Sequence, residues 1–352
     1  MTEWMDSALV PAARQAPSWG LSRLESLPVE MIERIFFESL EFNLPRASFY
    51  IARILSKRSI YTWLIRLAFA SPNESSKEDF FTPHFLPVPY SFFALSYSER
   101  VKLQSAILAC RWCTLSLFRE CQRDYIAHVI RQKCSRLIFS PEDRAVLDNI
   151  DSYFSRPLDF DQNSGGLGAR HGSRGDIILS ARDPAQPKTQ LKVAIWVYFG
   201  ALQIRKPSPV LHDMDMFRLP FCYPDSPARM PEKLLTKPFT PEKLEFLRLL
   251  STLAYIDDDE NHARSKSILR QVIIDRDYNA LDKMTNMCIR TKVYSYPLQW
   301  PVGRKVFRAA LHHAEGKRDR FIMLLYERRA DQLLRLSDRR LRDKLLENIE
   351  SP

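Results

Sequence analysis

Six cysteines are the side chains of this sequence most suited to metal binding, nucleophilic attack or redox chemistry. Four of them, Cys110, Cys113, Cys121 and Cys134, share one stretch with helical periodicity. Structural zinc sites take thiolates as compact pairs from turns. Cys110 and Cys113 are three apart on a helical stretch and no compact second pair follows, so the pattern predicts reduced cysteines packed between helices. The adjacent His312 and His313 project about 100° apart on a helix, which keeps their imidazoles off a common metal. His212-Asp-Met-Asp215 and Asp257-Asp-Asp-Glu-Asn-His262 carry hard oxygen ligands, but neither has calcium-loop spacing or the glycine its sharp turn needs. Both read as solvated loops between helices.

Gly165, Gly166, Gly168, Gly172 and Gly175 crowd into one segment of a chain with only 9 glycines. They are no phosphate cradle, because no strand leads into Gly-x-Gly-x-x-Gly and no Gly-Lys-Ser/Thr follows. A Gly-x-Ser-x-Gly nucleophile turn is missing as well. With no nucleophile, base and orienting group in reach of one another by pattern, the expectation is a protein that is not an enzyme and has no metal and no cofactor.

The elements that must carry these residues are mainly α by composition. The chain has 352 residues, 45% of them hydrophobic and 11% aromatic, enough to order real cores. A net charge of +10 permits contact with acidic partners without demonstrating it. The longest uncharged apolar run, Val193 to Leu202, is far short of the ~20 residues of a membrane helix. With no signal-type segment and no disulfide framework, the reading is a cytoplasmic or nuclear protein without a membrane partner.

Residues 1–20 read as a flexible lead-in, and 21–70 as three short helices. Ser26 is placed to cap the first, with Pro28 in its first turn and Ile32, Ile35, Phe36 and Leu40 at helical spacing. A Pro-rich linker covers 71–97. Ser98 then caps one long helix from Glu99 to about Gln132, the start of a helical spine over 98–158. The Gly-rich segment 159–190 reads as a loop. From 191 to 335 the pattern predicts helical repeats: Gln190–Ala201, Lys243–Ala254 and Asp319–Ala330 align without gaps, each as a short helix with one apolar side. A basic helix closes the chain over 336–352, and in the basic tail from Lys317 to Lys344 no aromatics interleave Arg328, Arg329, Arg335, Arg339, Arg340 and Arg342 as a nucleic-acid site needs.

Leu27-Pro28 followed by Ile32, Ile35, Leu40, Leu44, Ile51 and Leu55 resembles an F-box. The whole arrangement, with Ala109-Cys-Arg-Trp-Cys-Thr114, is similar to F-box-like proteins of filamentous fungi. Ala309-Ala-Leu-His-His-Ala314, Phe321-Ile-Met-Leu-Leu325 and Arg329-Ala-Asp331 resemble a degenerate ankyrin helix-turn-helix. The fold expected is therefore all-α: an F-box-like segment, a long linking helix and an ankyrin-like repeat domain. The resemblance implies a substrate receptor of a cullin–RING ubiquitin ligase. Leu27, Pro28, Ile32, Ile35, Leu40, Ile51 and Leu55 would meet a Skp-type adaptor protein, and Tyr296 and Trp300 an unknown protein target. An ankyrin-type scaffold without a ligase role and a basic nucleic-acid-associated protein stay open beside it, though nucleic acid is the less expected partner.

Overall fold

Proline and serine fix the first helix boundaries in the computed structural model of the chain, which describes residues 22–71, 85, 95–154, 176–206, 214–220, 227–293 and 296–350. The expected lead-in and most of the 71–97 linker lie outside these residues. Two units are present, Met1–Lys57 and Arg58–Pro352. In the first, helix α1 (Val29–Ser39) follows directly on Pro28, whose fixed φ suits a helix start. It stops at Leu40, whose backbone is left-handed (φ 49°) and whose N–H donates to the Phe36 carbonyl at 2.7 Å. Ser26 is not its cap: that hydroxyl donates to the Arg23 carbonyl. After a single 3-10 turn at Leu44–Arg46, Ser48 accepts from the Ile51 N–H at 3.2 Å and caps α2 (Phe49–Leu55). The Lys57 ammonium reaches Glu33 at 2.8 Å and ties the end of α2 to α1.

The second unit begins with α3 (Arg58–Phe69), so the three helices expected as one segment straddle the division. Strand β1 (Ala70–Ser71) follows, and then α4 (Tyr97–Ala109) and α5 (Leu115–Cys134). The single long helix is thus corrected to two. Ser96, not Ser98, caps α4, in a reciprocal box with Glu99. The chain turns at Cys110–Cys113, and Thr114 accepts from the Leu117 N–H to restart it as α5. Lys233 closes the break by donating its Nζ to the carbonyls of both Cys110 and Cys113.

The all-α expectation fails between 177 and 217, where the described chain is sheet. Strands β2 (Ile138–Phe139), β3 (Ile177–Asp183), β4 (Gln186–Trp196), β5 (Ala201–Arg205) and β6 (Met214–Phe217) join β1 in the order β1-β6-β5-β4-β3-β2, every pairing antiparallel. Between β2 and β3 lie α6 (Pro141–Asp148) and α7 (Ile150–Phe154). The segment aligned as the first helical repeat is β4 with its turn into β5. In β3 the alternation is clean: Ile177, Leu179 and Ala181 are buried and Ile178, Ser180 and Arg182 exposed. In β4 it is lost, because both faces are covered from Val193 to Val197. A strand buried on both faces shows no period of two and passes for one side of a helix. The β-branched and aromatic run Val193, Ile195, Trp196, Val197, Tyr198, Phe199 carried the strand preference.

Helix α5 lies across β5 and β6, and its Phe118 joins the core on every side. Its ring sits 4.9 Å from that of Phe69, 5.1 Å from Phe217 and 5.6 Å from Phe246.

Beyond the sheet come α8 (Glu232–Leu235), α9 (Pro241–Ser251), β7 (Tyr255–Asp257), α10 (Ala263–Ile274), α11 (Tyr278–Thr285), β8 (Cys288–Thr291), β9 (Leu298–Gln299), α12 (Arg304–His312), α13 (Arg320–Leu334) and α14 (Arg339–Glu350). Strands β7, β8 and β9 form a small mixed sheet. Two helical hairpins stack here, α10 against α12 and α11 against α13, and α14 closes on α12 and α13. A repeat array over 191–335 is therefore corrected to a sheet followed by two stacked hairpins.

Gly200 makes the tight turn before β5 in the left-handed region (φ +62°), and a Cβ there would fall 2.4 Å from the Gln122 Cγ. Gly200→Ala is expected to cost about 2 kcal/mol or more through backbone strain and overpacking against α5. Urea unfolding measures it, and a loss under about 0.5 kcal/mol contradicts this packing.

Candidate functional site

The residues expected to meet an adaptor separate by exposure. Ile32, Ile51 and Leu55 are buried (0%, 2% and 2% exposed) and so belong to the interior. Leu27, Ile35 and Leu40 are half-buried and Pro28 is exposed. Three side chains that the sequence reading did not name stand out beside them: Phe49 is 89% exposed, Met31 43% and Tyr50 39%. Their signal was present in the helical period. On α1, Met31 and Ile35 are four apart and share one side, while Ile32 and Phe36 share the next. On α2, Phe49 and Tyr50 occupy the first turn, with Ile51, Ile54 and Leu55 turned inward. Met31 and Ile35 thus give α1 an apolar side next to the Arg34–Glu38 ion pair, and Phe49 and Tyr50 expose aromatic rings at the start of α2.

Of the two aromatics expected at a target site, Tyr296 is 75% exposed and Trp300 fully buried. The Trp300 indole N–H donates to the Ser265 carbonyl at 3.1 Å, and its backbone N–H donates to the Met287 carbonyl at 2.9 Å. It fills the space between the two hairpins. Arg329 shares this interior, 3% exposed, at a break in α13 where its own backbone leaves the helical region (φ −143°). Its guanidinium donates to the carbonyls of Thr285 and Trp300. This arginine, counted with the basic tail from the sequence, is an interior strut.

A second arginine clasps the hairpins together. Arg276, in left-handed backbone (φ 57°) at the bend between α10 and α11, donates to the His313 carbonyl at 2.9 Å and to the Asp319 carboxylate at 2.9 Å. Asp319 also accepts from the N–H groups of Glu315, Phe321 and Ile322, capping α13. Burial pushes the Asp319 carboxyl up, but Arg276 and these backbone donors outweigh it and hold the group below the usual carboxylate range.

The candidate chemical groups are used structurally. Burial pushes the Cys113, Cys121 and Cys134 thiols up to about 12, so they are thiols rather than thiolates. Cys110 donates its S–H to the Ala106 carbonyl. The His312 and His313 rings meet edge to face, 4.9 Å apart. Asp257 is buried and accepts from the N–H groups of Arg264 and Ser265, capping α10. Asp215 pairs with Lys133 at 2.6 Å, while His212 and the glycine cluster at 165–175 lie outside the described residues. Among the described residues no three of His, Cys, Asp and Glu converge as a metal set, and no helix is long and apolar enough to cross a membrane.

Comparison with family models, curated proteins and solved structures finds no match to this chain.

Trp300→Ala should cost about 3–5 kcal/mol in urea unfolding, because it empties an interior site and leaves the Ser265 carbonyl without its donor. Tyr296→Ala should stay within about 0.5 kcal/mol. Equal costs would contradict the placement of Trp300.

The Arg276–Asp319 clasp makes stability depend on pH with a definite sign. A carboxyl whose folded pKa is depressed stabilises fully above its unfolded pKa, and loses that contribution as pH falls through the folded value. Asp319→Asn, which keeps the capping oxygen, should be less stable than the parent at neutral pH. The gap should close as pH drops below about 4. A gap constant with pH would rule out the charge as its source.

Proposed function

We propose that the chain is a non-catalytic receptor that docks a Skp-type adaptor through its first unit and presents a protein target with its second, within a cullin–RING ubiquitin ligase. One observation carries the reading: the first unit holds its own apolar residues Ile32, Phe36, Ile51, Ile54 and Leu55 inside, yet leaves Pro28, Met31, Phe49 and Tyr50 in solvent. Large apolar side chains left exposed on a small helical unit mark a place where another protein binds. The F-box resemblance of Leu27-Pro28 through Leu55 gives that partner its class. The interface consists of Leu27, Pro28, Met31, Ile35, Leu40, Phe49 and Tyr50, with Ile32, Ile51 and Leu55 supporting it from behind. No bond is made or broken by this chain; it raises the effective concentration of a target near the transferring enzyme.

Interface energy concentrates in a few large anchors, so one charge at an anchor should cost about 2 kcal/mol or more. Met31→Asp and Phe49→Asp change exposed positions and should leave the circular dichroism helical. Each should abolish co-purification with a purified Skp-type adaptor that the parent retains. Undiminished capture by the double variant sinks the assignment.

A further inference from the structure

The two stacked hairpins leave a groove of about 530 Å³ where the first two turns of α10 lie beside the start of α12. Lys266, Ser267 and Arg270 line it from α10, and Gly303, Arg304 and Lys305 from α12; no carboxylate is among its lining residues. Gly303 gives it depth, because a Cβ there would meet the Lys266 Cδ at 3.2 Å. Two of the four cations have internal partners. Arg304 pairs with Asp338 at 2.7 Å, and the Lys266 Nζ donates to the Asn261 carbonyl at 2.8 Å. Arg270 and Lys305 are exposed and pair with no carboxylate among the described residues. Like charges gathered in a concave site raise the local concentration of an oppositely charged group.

We propose that this groove docks an acidic segment of a partner protein, a peptide whose carboxylates meet Arg270 and Lys305. The inference rests on the receptor reading only in making this peptide part of the recruited target. Two observations select a peptide over a nucleic acid. The lining holds no aromatic ring on which a base could stack. The exposed Asp258, Asp259 and Glu260 also directly precede Asn261 at the groove's rim. They would repel a phosphodiester chain running out of the groove, whereas a peptide with basic residues beside its acidic stretch complements both charges.

The test is fluorescence anisotropy of the full chain with a fluorescein-labelled peptide of alternating Glu and Ser ending in Lys-Lys. The same peptide with every Glu replaced by Gln and an oligouridine RNA serve as comparisons. The Glu peptide should bind at least about tenfold tighter than the Gln peptide, and its affinity should fall as salt is raised. Arg270→Glu with Lys305→Glu should remove that preference while the chain melts as the parent does and still captures the adaptor. Equal binding of the two peptides, or a double variant that binds the Glu peptide as the parent does, overturns the proposal. Tighter binding of the RNA through the same two residues overturns it too, in favour of a nucleic-acid site. A chain that binds the Glu peptide but no adaptor supports the groove and sinks the receptor reading instead.

Discussion

The packing of α5 across β5 and β6 is the contact on which the second unit depends. Phe118, Cys121, Tyr125 and Val129 lie on its inward side, all of them fully buried. Laying a helix on this sheet also strands backbone groups that must find partners away from water. Two buried glutamines supply them. Gln104 donates to the carbonyls of Ala68 and Arg218, joining α4 to the end of the β1–β6 pairing where Ala70 faces Phe217. Gln122 donates to the Tyr198 carbonyl, beneath the turn that only Gly200 can make. Between α4 and α5 the chain breaks at Cys110–Cys113. The carbonyls that the break frees at Cys110 and Cys113 are then met by Lys233 from far along the chain.

Other buried polar groups serve the same end. Arg276, Arg329, Asp257 and Asp319 each hold helix ends or loop carbonyls in place. The buried cysteines are held as thiols by desolvation. At the surface, the first unit exposes Met31, Phe49 and Tyr50, and two hairpins of the second enclose a cationic groove.

Legibility in the sequence followed local chemistry. The helices of the first unit were readable because Pro28 marks the first start and an apolar stripe repeats at 3.6, while the sequence reading misses the cap at Ser48 and places one at Ser26. The hairpin over 304–334 was readable from Phe307, Ala310, Phe321, Ile322 and Leu325. The sheet was not: β3 alternates cleanly but falls within the expected Gly-rich loop 159–190, a reading the strands from Ile177 correct, and β4 is covered on both faces so that its alternation vanishes. The α4–α5 break was hidden because neither Gly nor Pro marks it; only Thr114, as a cap before Leu115, gave a signal. Trp300 and Tyr296 look equivalent as aromatic loop residues, and only the stacking of two hairpins separated in sequence decides which is interior. The buried Ile32, Ile51 and Leu55 and the exposed Met31, Phe49 and Tyr50 differ by helical phase, which fixes a side but not which side faces water.

The central claim is that the exposed apolar side chains of the first unit exist to be covered by an adaptor. Hydrogen–deuterium exchange on the full chain, with and without a saturating Skp-type adaptor, tests it most directly. The account predicts slowed amide exchange confined to peptides spanning Leu27 to Leu55, with those spanning β3 to β6 unchanged. Exchange in Leu27–Leu55 that is the same with and without the adaptor would contradict it.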